Sequence, residues 1–253
     1  MIVTGILALA TGLAYTALGV ITVHELIRHR RDRGFSHFGL SFAVMAFTCG
    51  THHLVHAYRH LVLREPAHGP MQAAMAIGAV PAVVFIALRL EAAFGGRGDR
   101  LVRNRRAFEL LPLVLVAAAA RPCGRPCATA TMAVDLRALL PNIVLFVNYA
   151  LVGYFTARTQ LARRPLLDGW SLSGVAMSGV FLTCAMSHLV AGLLTGSNPA
   201  GVLFDNVGVP ASIYFMWAVY RLNKDSERDW NRRPLVGRAA PLGRRSPWAE
   251  ANS

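Results

Sequence analysis

The chain has 253 residues, 54% of them hydrophobic and 15% charged, with a formal net charge of +13. The charges are clustered between long apolar stretches, which excludes an apolar soluble domain. A net positive charge is the usual footprint of phosphate binding, but here the arginines fall in alternate loops, so membrane topology accounts for them and nucleic acid is not an expected partner.

Taken in chain order, the weakly charged stretches are 2–23, 38–63, 71–88, 108–120, 138–156, 170–194 and 199–220. Most approach the ~20 residues needed to cross a ~30 Å hydrocarbon slab. The first lacks a basic segment before it, so it reads as a retained span and not as a cleavable signal. Arg28, Arg30, Arg31 and Arg33 follow it; Arg97, Arg100, Arg103, Arg105 and Arg106 follow the third; Arg158, Arg163 and Arg164 follow the fifth; and an Arg-rich tail follows the seventh. Arginine-rich loops stay in the cytoplasm, which predicts an outer amino terminus and a cytoplasmic carboxyl terminus in a cell membrane. The fourth stretch is short for a span, yet without its crossing the last two basic segments would lie outside.

The expected fold is therefore all-α: a polytopic helix bundle of about seven spans embedded in a lipid bilayer. It divides into 1–94, a first three-span repeat; 95–137, a basic loop, linking span and outer Cys loop; 138–222, a second three-span repeat; and 223–253, a basic tail too poor in apolar residues to form a core.

The repeat is carried by a motif. The second span has Phe47-Thr48-Cys49-Gly50-Thr51-His52-His53-Leu54-Val55, and the sixth has Leu182-Thr183-Cys184-Ala185-Met186-Ser187-His188-Leu189-Val190. Both contain Thr-Cys-x-x-x-His-Leu-Val. Val80-Pro81-Ala82 answers Val209-Pro210-Ala211, and Tyr15 and Tyr149 lie 34 and 35 residues before their cysteines. With a linking span between them, the two triplets cross in the same sense, as parallel repeats about an axis along the membrane normal.

Residues i and i+4 share one helix face, so Cys49 with His53, and Cys184 with His188, each offer a thiol and an imidazole together. Met45, His52, His56 and His60 lie on the same stripe of span two; Met177 and Met186 accompany the second pair. Soft thiolate and thioether donors with imidazole select Cu(I) before zinc or magnesium, and the Cys-x-x-Cys knuckle of a structural zinc site is absent from these spans. The plain alternative is that free Cys packs as a small hydrophobe and an intramembrane His bonds a neighbouring helix. Candidate metal ligands are thus Cys49, His53, Cys184 and His188, with Met45, His52 and His56.

Cys49-Gly50-Thr51-His52-His53-Leu54 and Cys184-Ala185-Met186-Ser187-His188-Leu189 resemble the Cys-Gly-Ala-Thr-His-Leu signature in the second span of plant and cyanobacterial ethylene receptors. The resemblance implies two fused three-span sensor domains, over about two-thirds of the chain, with the family's dimer made intramolecular. It implies Cu(I) held by Cys49, His53, Cys184 and His188, and an olefin-like ligand on the copper. Tyr15, and Tyr149 as its counterpart, resemble the family's first-span Tyr. The family's first-span acidic position falls on Ala8 and Asn142, so copper carries over more directly than the olefin. No output domain is evident, so sensing would require a separate signalling partner.

Other motifs yield less. Cys123 and Cys127, on the outer side, read as a local disulfide or a metal-capture pair. His24-Glu25 with His29 has the wrong spacing for a zincin, and Gly95-Gly96-Arg97-Gly98 lacks the ending of a phosphate loop. Pro81 and Pro210 predict mid-span kinks. Asp205 and Asn206 are expected at the membrane interface, although Asp205 could line a polar path. No nucleophile–base motif points to an enzyme. The leading expectation is a Cu(I)-binding membrane protein that senses a small neutral ligand or handles copper. A small-solute or metal transporter, and a haem protein with axial His52, His53, His56 or His188, are the alternatives.

Overall fold

The computed structural model describes residues 2–33, 36–65, 69–96, 99–102, 135–167, 169–194 and 199–229. Six helices dominate: α1 (Ile2–Arg33), α2 (His37–Leu61), α3 (Gly69–Ala93), α4 (Leu136–Leu167), α5 (Leu172–Leu194) and α6 (Pro199–Asp229). All six are long and apolar enough to cross a membrane. The expected fourth span at 108–120, Cys123, Cys127 and the tail beyond Asp229 lie outside the described residues.

Each helix is apolar on most of its circumference, which suits a bundle whose outer face meets lipid. Val3, Ile27, Leu140 and Leu203 are among many large apolar side chains left exposed. The exposed belt is compatible with bilayer contact. Hydroxyls that would be orphaned in such surroundings bond back to their own helix, as Thr11 does to the Leu7 carbonyl at 2.8 Å and Ser187 to the Thr183 carbonyl at 3.0 Å.

Within the bundle, α1 packs on α2 and α3, α4 packs on α5 and α6, and the two groups meet where α2 lies against α6 and α3 against α5. The core between them is built from Tyr15, Leu18, Phe42, Met45, Cys49, Phe85, Tyr149, Phe181, Cys184 and Phe215. Glycines allow close approach at the α1–α2 crossing. A Cβ on Gly50 would stand 2.7 Å from Thr16 Oγ1, 3.1 Å from the Thr16 backbone nitrogen and 3.2 Å from the Gly12 carbonyl oxygen. Backbone cannot yield as a side chain can. Gly50→Val is therefore expected to destabilise the bundle by about 1–3 kcal/mol, read as a lower thermal midpoint in detergent. Gly19→Ala, which meets only the edge of the Phe47 ring, should cost less.

The ends of the helices are tied by polar contacts. Ser36 caps α2 by accepting from the Gly39 backbone nitrogen at 3.1 Å. Arg89 donates to both Glu25 carboxylate oxygens at 2.7 Å, joining α1 to α3, and both side chains are half-buried. A short antiparallel ribbon pairs β1 (Leu101–Val102) with β2 (Trp170–Ser171), Leu101 opposite Ser171 and Val102 opposite Trp170. Asp99 reinforces it by accepting from the Ser171 hydroxyl at 2.6 Å and the Ser173 backbone nitrogen at 2.9 Å, at the start of α5. The loop after α3 and the loop after α4 thus sit on one face of the bundle.

Candidate metal centre

Three features of the sequence converge at the middle of the bundle. On α2, the i, i+4 spacing stacks Met45, Cys49 and His53 along one side, with His52 and His56 beside them. From α5 come Cys184 and His188; α1 contributes Tyr15 and α4 contributes Asn142 and Tyr149. All are buried. Cys49 and Cys184 are free thiols with sulfurs 3.8 Å apart. At a metal–thiolate distance of about 2.3 Å, one ion can touch both. The Met45 thioether adds a third sulfur 3.7 Å from Cys49 Sγ.

Cys49 also has a polar neighbour from the opposite group of helices: the Tyr149 hydroxyl lies 3.0 Å from its Sγ. Tyr15 stacks on His53, ring centroids 5.6 Å apart and 4° from parallel, while Tyr149 lies 5.5 Å from His188. Tyr149 thus contacts the thiol of one motif and the imidazole of the other. Tyr15, His53 and Cys184 also line a small cavity with Met75, Gly78 and Thr183, of about 10 Å³, about the room of one water.

A carboxylate completes the arrangement. Asp205, expected at the interface, is buried instead, because its partners lie inside. His52 Nδ1 stands 2.8 Å from Asp205 Oδ1, and Asn142 Nδ2 donates to Asp205 Oδ2 at 2.7 Å and to the Ala138 carbonyl at 2.9 Å. Both of those acceptors can only accept, which fixes the orientation of the Asn142 amide. Its Oδ1 must then receive a proton from His188 Nδ1 at 2.8 Å. That tautomer leaves the His188 Nε2 lone pair free, as in metal-binding histidines whose other ring nitrogen donates to a neighbouring polar group. His52 Nε2 and Asp205 Oδ1 are both buried without a hydrogen-bond partner, and the close approach of His52 to Asp205 is an electrostatic contact. Donor atoms of His52, His188 and Asp205 all lie within 4.8 Å of one another, so this group could hold a metal ion.

The structure therefore brings together Tyr15, Met45, Cys49, His52, His53, Asn142, Tyr149, Cys184 and His188. His56 sits one turn further along α2, its ring 4.7 Å from that of His52. Met186 is half-exposed, turned outward from the site, and Met177 lines a separate cavity of about 320 Å³ with Phe38, Phe155 and Arg163. Asp205 is the participant that spacing alone did not select. Its signal was a carboxylate in an otherwise apolar run, which is a functional candidate by default. No family model matches the chain, and no curated protein or solved structure matches it.

Proposed function

We propose that this is a seven-span membrane protein that holds a single Cu(I) ion between Cys49 and Cys184, and that binds a small neutral ligand at that ion or handles the copper itself. The observation that carries this reading is the 3.8 Å separation of two free, buried thiols contributed by the two copies of the repeated motif. Two soft sulfurs with His188 and His53 alongside form a donor set suited to Cu(I) over harder divalent ions. Met45 is placed to add a thioether. Tyr149 holds the Cys49 thiol in position. No catalytic step is assigned, and a sensing role would act through a separate signalling partner.

The packing of the helices supports the repeat. If α1, α2 and α3 correspond to α4, α5 and α6, the contact of α1 with α2 matches that of α4 with α5, α1 with α3 matches α4 with α6, and α2 with α6 matches α5 with α3. Gly19 against Phe47 and Gly153 against Leu182 repeat the same close approach. On this reading the chain is an intramolecular counterpart of the dimeric copper sensor it resembles, with the metal on the pseudo-twofold axis. The seventh crossing is supported by the ribbon. β1 and β2 place the end of α3 and the end of α4 on one face, while α4 begins on the opposite one, the arrangement that a crossing between α3 and α4 would produce. The charge rule makes the ribbon face cytoplasmic.

The test is metal content by mass spectrometry on protein purified under reducing conditions and loaded with Cu(I). The parent should carry about one copper per chain, the ratio one shared ion requires, and the Cys49→Ser/Cys184→Ser double variant should carry none. An unloaded parent, or a double variant that keeps its copper, would reject the site.

A further inference from the structure

Three buried histidines on α2 are not needed to hold an ion between the thiols, and their arrangement continues away from it. Ring centroids are 4.7 Å apart from His188 to His52, 4.7 Å from His52 to His56, and 6.1 Å from His56 to His60. The i, i+4 spacing places the last three in one row along α2, from mid-helix to its carboxyl-terminal end. All are buried. Burying an imidazole nitrogen with no partner costs free energy, and such groups are uncommon enough to require a cause. His52 Nε2 and His60 Nε2 are both of this kind.

His60 Nδ1 stands 2.9 Å from the Glu65 carbonyl oxygen, which can only accept, so Nδ1 carries the proton of the neutral ring and Nε2 keeps its lone pair. His52 Nδ1 lies 2.8 Å from Asp205 Oδ1, and its Nε2 is likewise without a partner. The chain turns back over His60 through Arg64, whose φ of 56° is in the left-handed region. Glu65 is fixed there by its backbone nitrogen on the Arg59 carbonyl at 3.1 Å and by Arg59 Nε on its carboxylate at 2.6 Å. Imidazole is a competent copper ligand, and ionisable groups inside a bundle characteristically line ion pathways.

We infer that His60, His56 and His52 form an entry path along which Cu(I) is handed by ligand exchange from the carboxyl-terminal end of α2 to the Cys49/Cys184 site. This rests on the proposed copper site. Between histidines each transfer would form one Cu–N bond as another breaks; at the last step Cu–S bonds to Cys49 and Cys184 would replace the Cu–N bond to His52 and the thiol protons would be released, with no change of oxidation state. The path is one-sided: the residues of the second motif that correspond to His52, His56 and His60 are Ser187, Ala191 and Thr195.

The experiment measures the rate of Cu(I) uptake from a Cu(I)–chelator complex by the purified full chain, together with final copper content and affinity. The parent is compared with His56→Leu, His60→Leu and His56→Gln, the last keeping a polar side chain in case leucine prevents folding. Uptake at least tenfold slower, with content and affinity unchanged, is the expected result. An unchanged rate at full content would overturn the path, as would loss of content, which would make His56 or His60 a resident ligand. A parent that takes up no copper would instead reject the site itself, and the path with it.

Discussion

Replacing either cysteine alone, Cys49→Ser or Cys184→Ser, is expected to abolish copper retention and not merely to halve it. The reason is the 3.8 Å between the two sulfurs. Two independent Cys-x-x-x-His sites, one per motif, would each survive loss of the other and leave half the metal. A shared ion loses one of two thiolates whichever cysteine is replaced, and the hydroxyl that remains is a poor ligand for Cu(I). An affinity loss well beyond the 10–100-fold typical of an outer-shell change should follow from each single substitution. Both variants should fold, because serine is smaller than cysteine and a hydrogen-bonding neighbour stays beside it, Tyr149 at position 49 and Cys49 at position 184. Retention of half the parent's copper by both variants would replace the shared site with two separate ones.

The second large effect is expected at Asp205, through two different readouts. Its carboxylate contacts His52 and accepts from Asn142, and Asn142 in turn sets the tautomer of His188. Removing one member of a buried polar or ionic group leaves the rest unpaired, at a cost of about 3–5 kcal/mol when a charge is involved. Asp205→Ala should lower the thermal midpoint of the metal-free protein. It should also weaken copper binding by about 10–100-fold, the usual consequence of losing the group that orients a ligand histidine. A variant with parental stability and parental affinity would show that the Asp205–Asn142–His188 chain does not position the site.

Much of the fold was legible because hydrocarbon imposes simple demands. Length, apolarity and the spacing of arginines located all six described helices, to within a few residues at most of their ends. The Thr-Cys-x-x-x-His-Leu-Val repeat selected both cysteines and two of the histidines around them, His53 and His188. The limits of that reading are also physical. Spacing along one helix pairs Cys49 with His53, but a facing helix supplies nearer partners, so Cys49 meets Tyr149 and Cys184 instead, 100 and 135 residues away. Asn142 stood out only as a non-acidic residue at an expected acidic position. The structure places a carboxylate against it from α6, 63 residues further on. No periodicity within a single span carries that relationship. Asp205 was expected near the interface because it lies near the start of its span, and only the buried imidazole facing it explains its depth.

The central claim is that both repeated cysteines hold one Cu(I). X-ray absorption at the copper edge of the Cu(I)-loaded protein tests it most directly, because it counts the sulfur and nitrogen neighbours of the metal. Two sulfur neighbours at about 2.3 Å with imidazole nitrogen completing the shell are expected, with loss of one sulfur if any copper remains in Cys184→Ser. A spectrum showing nitrogen and oxygen alone would contradict it and move the metal to the His52, His188 and Asp205 group.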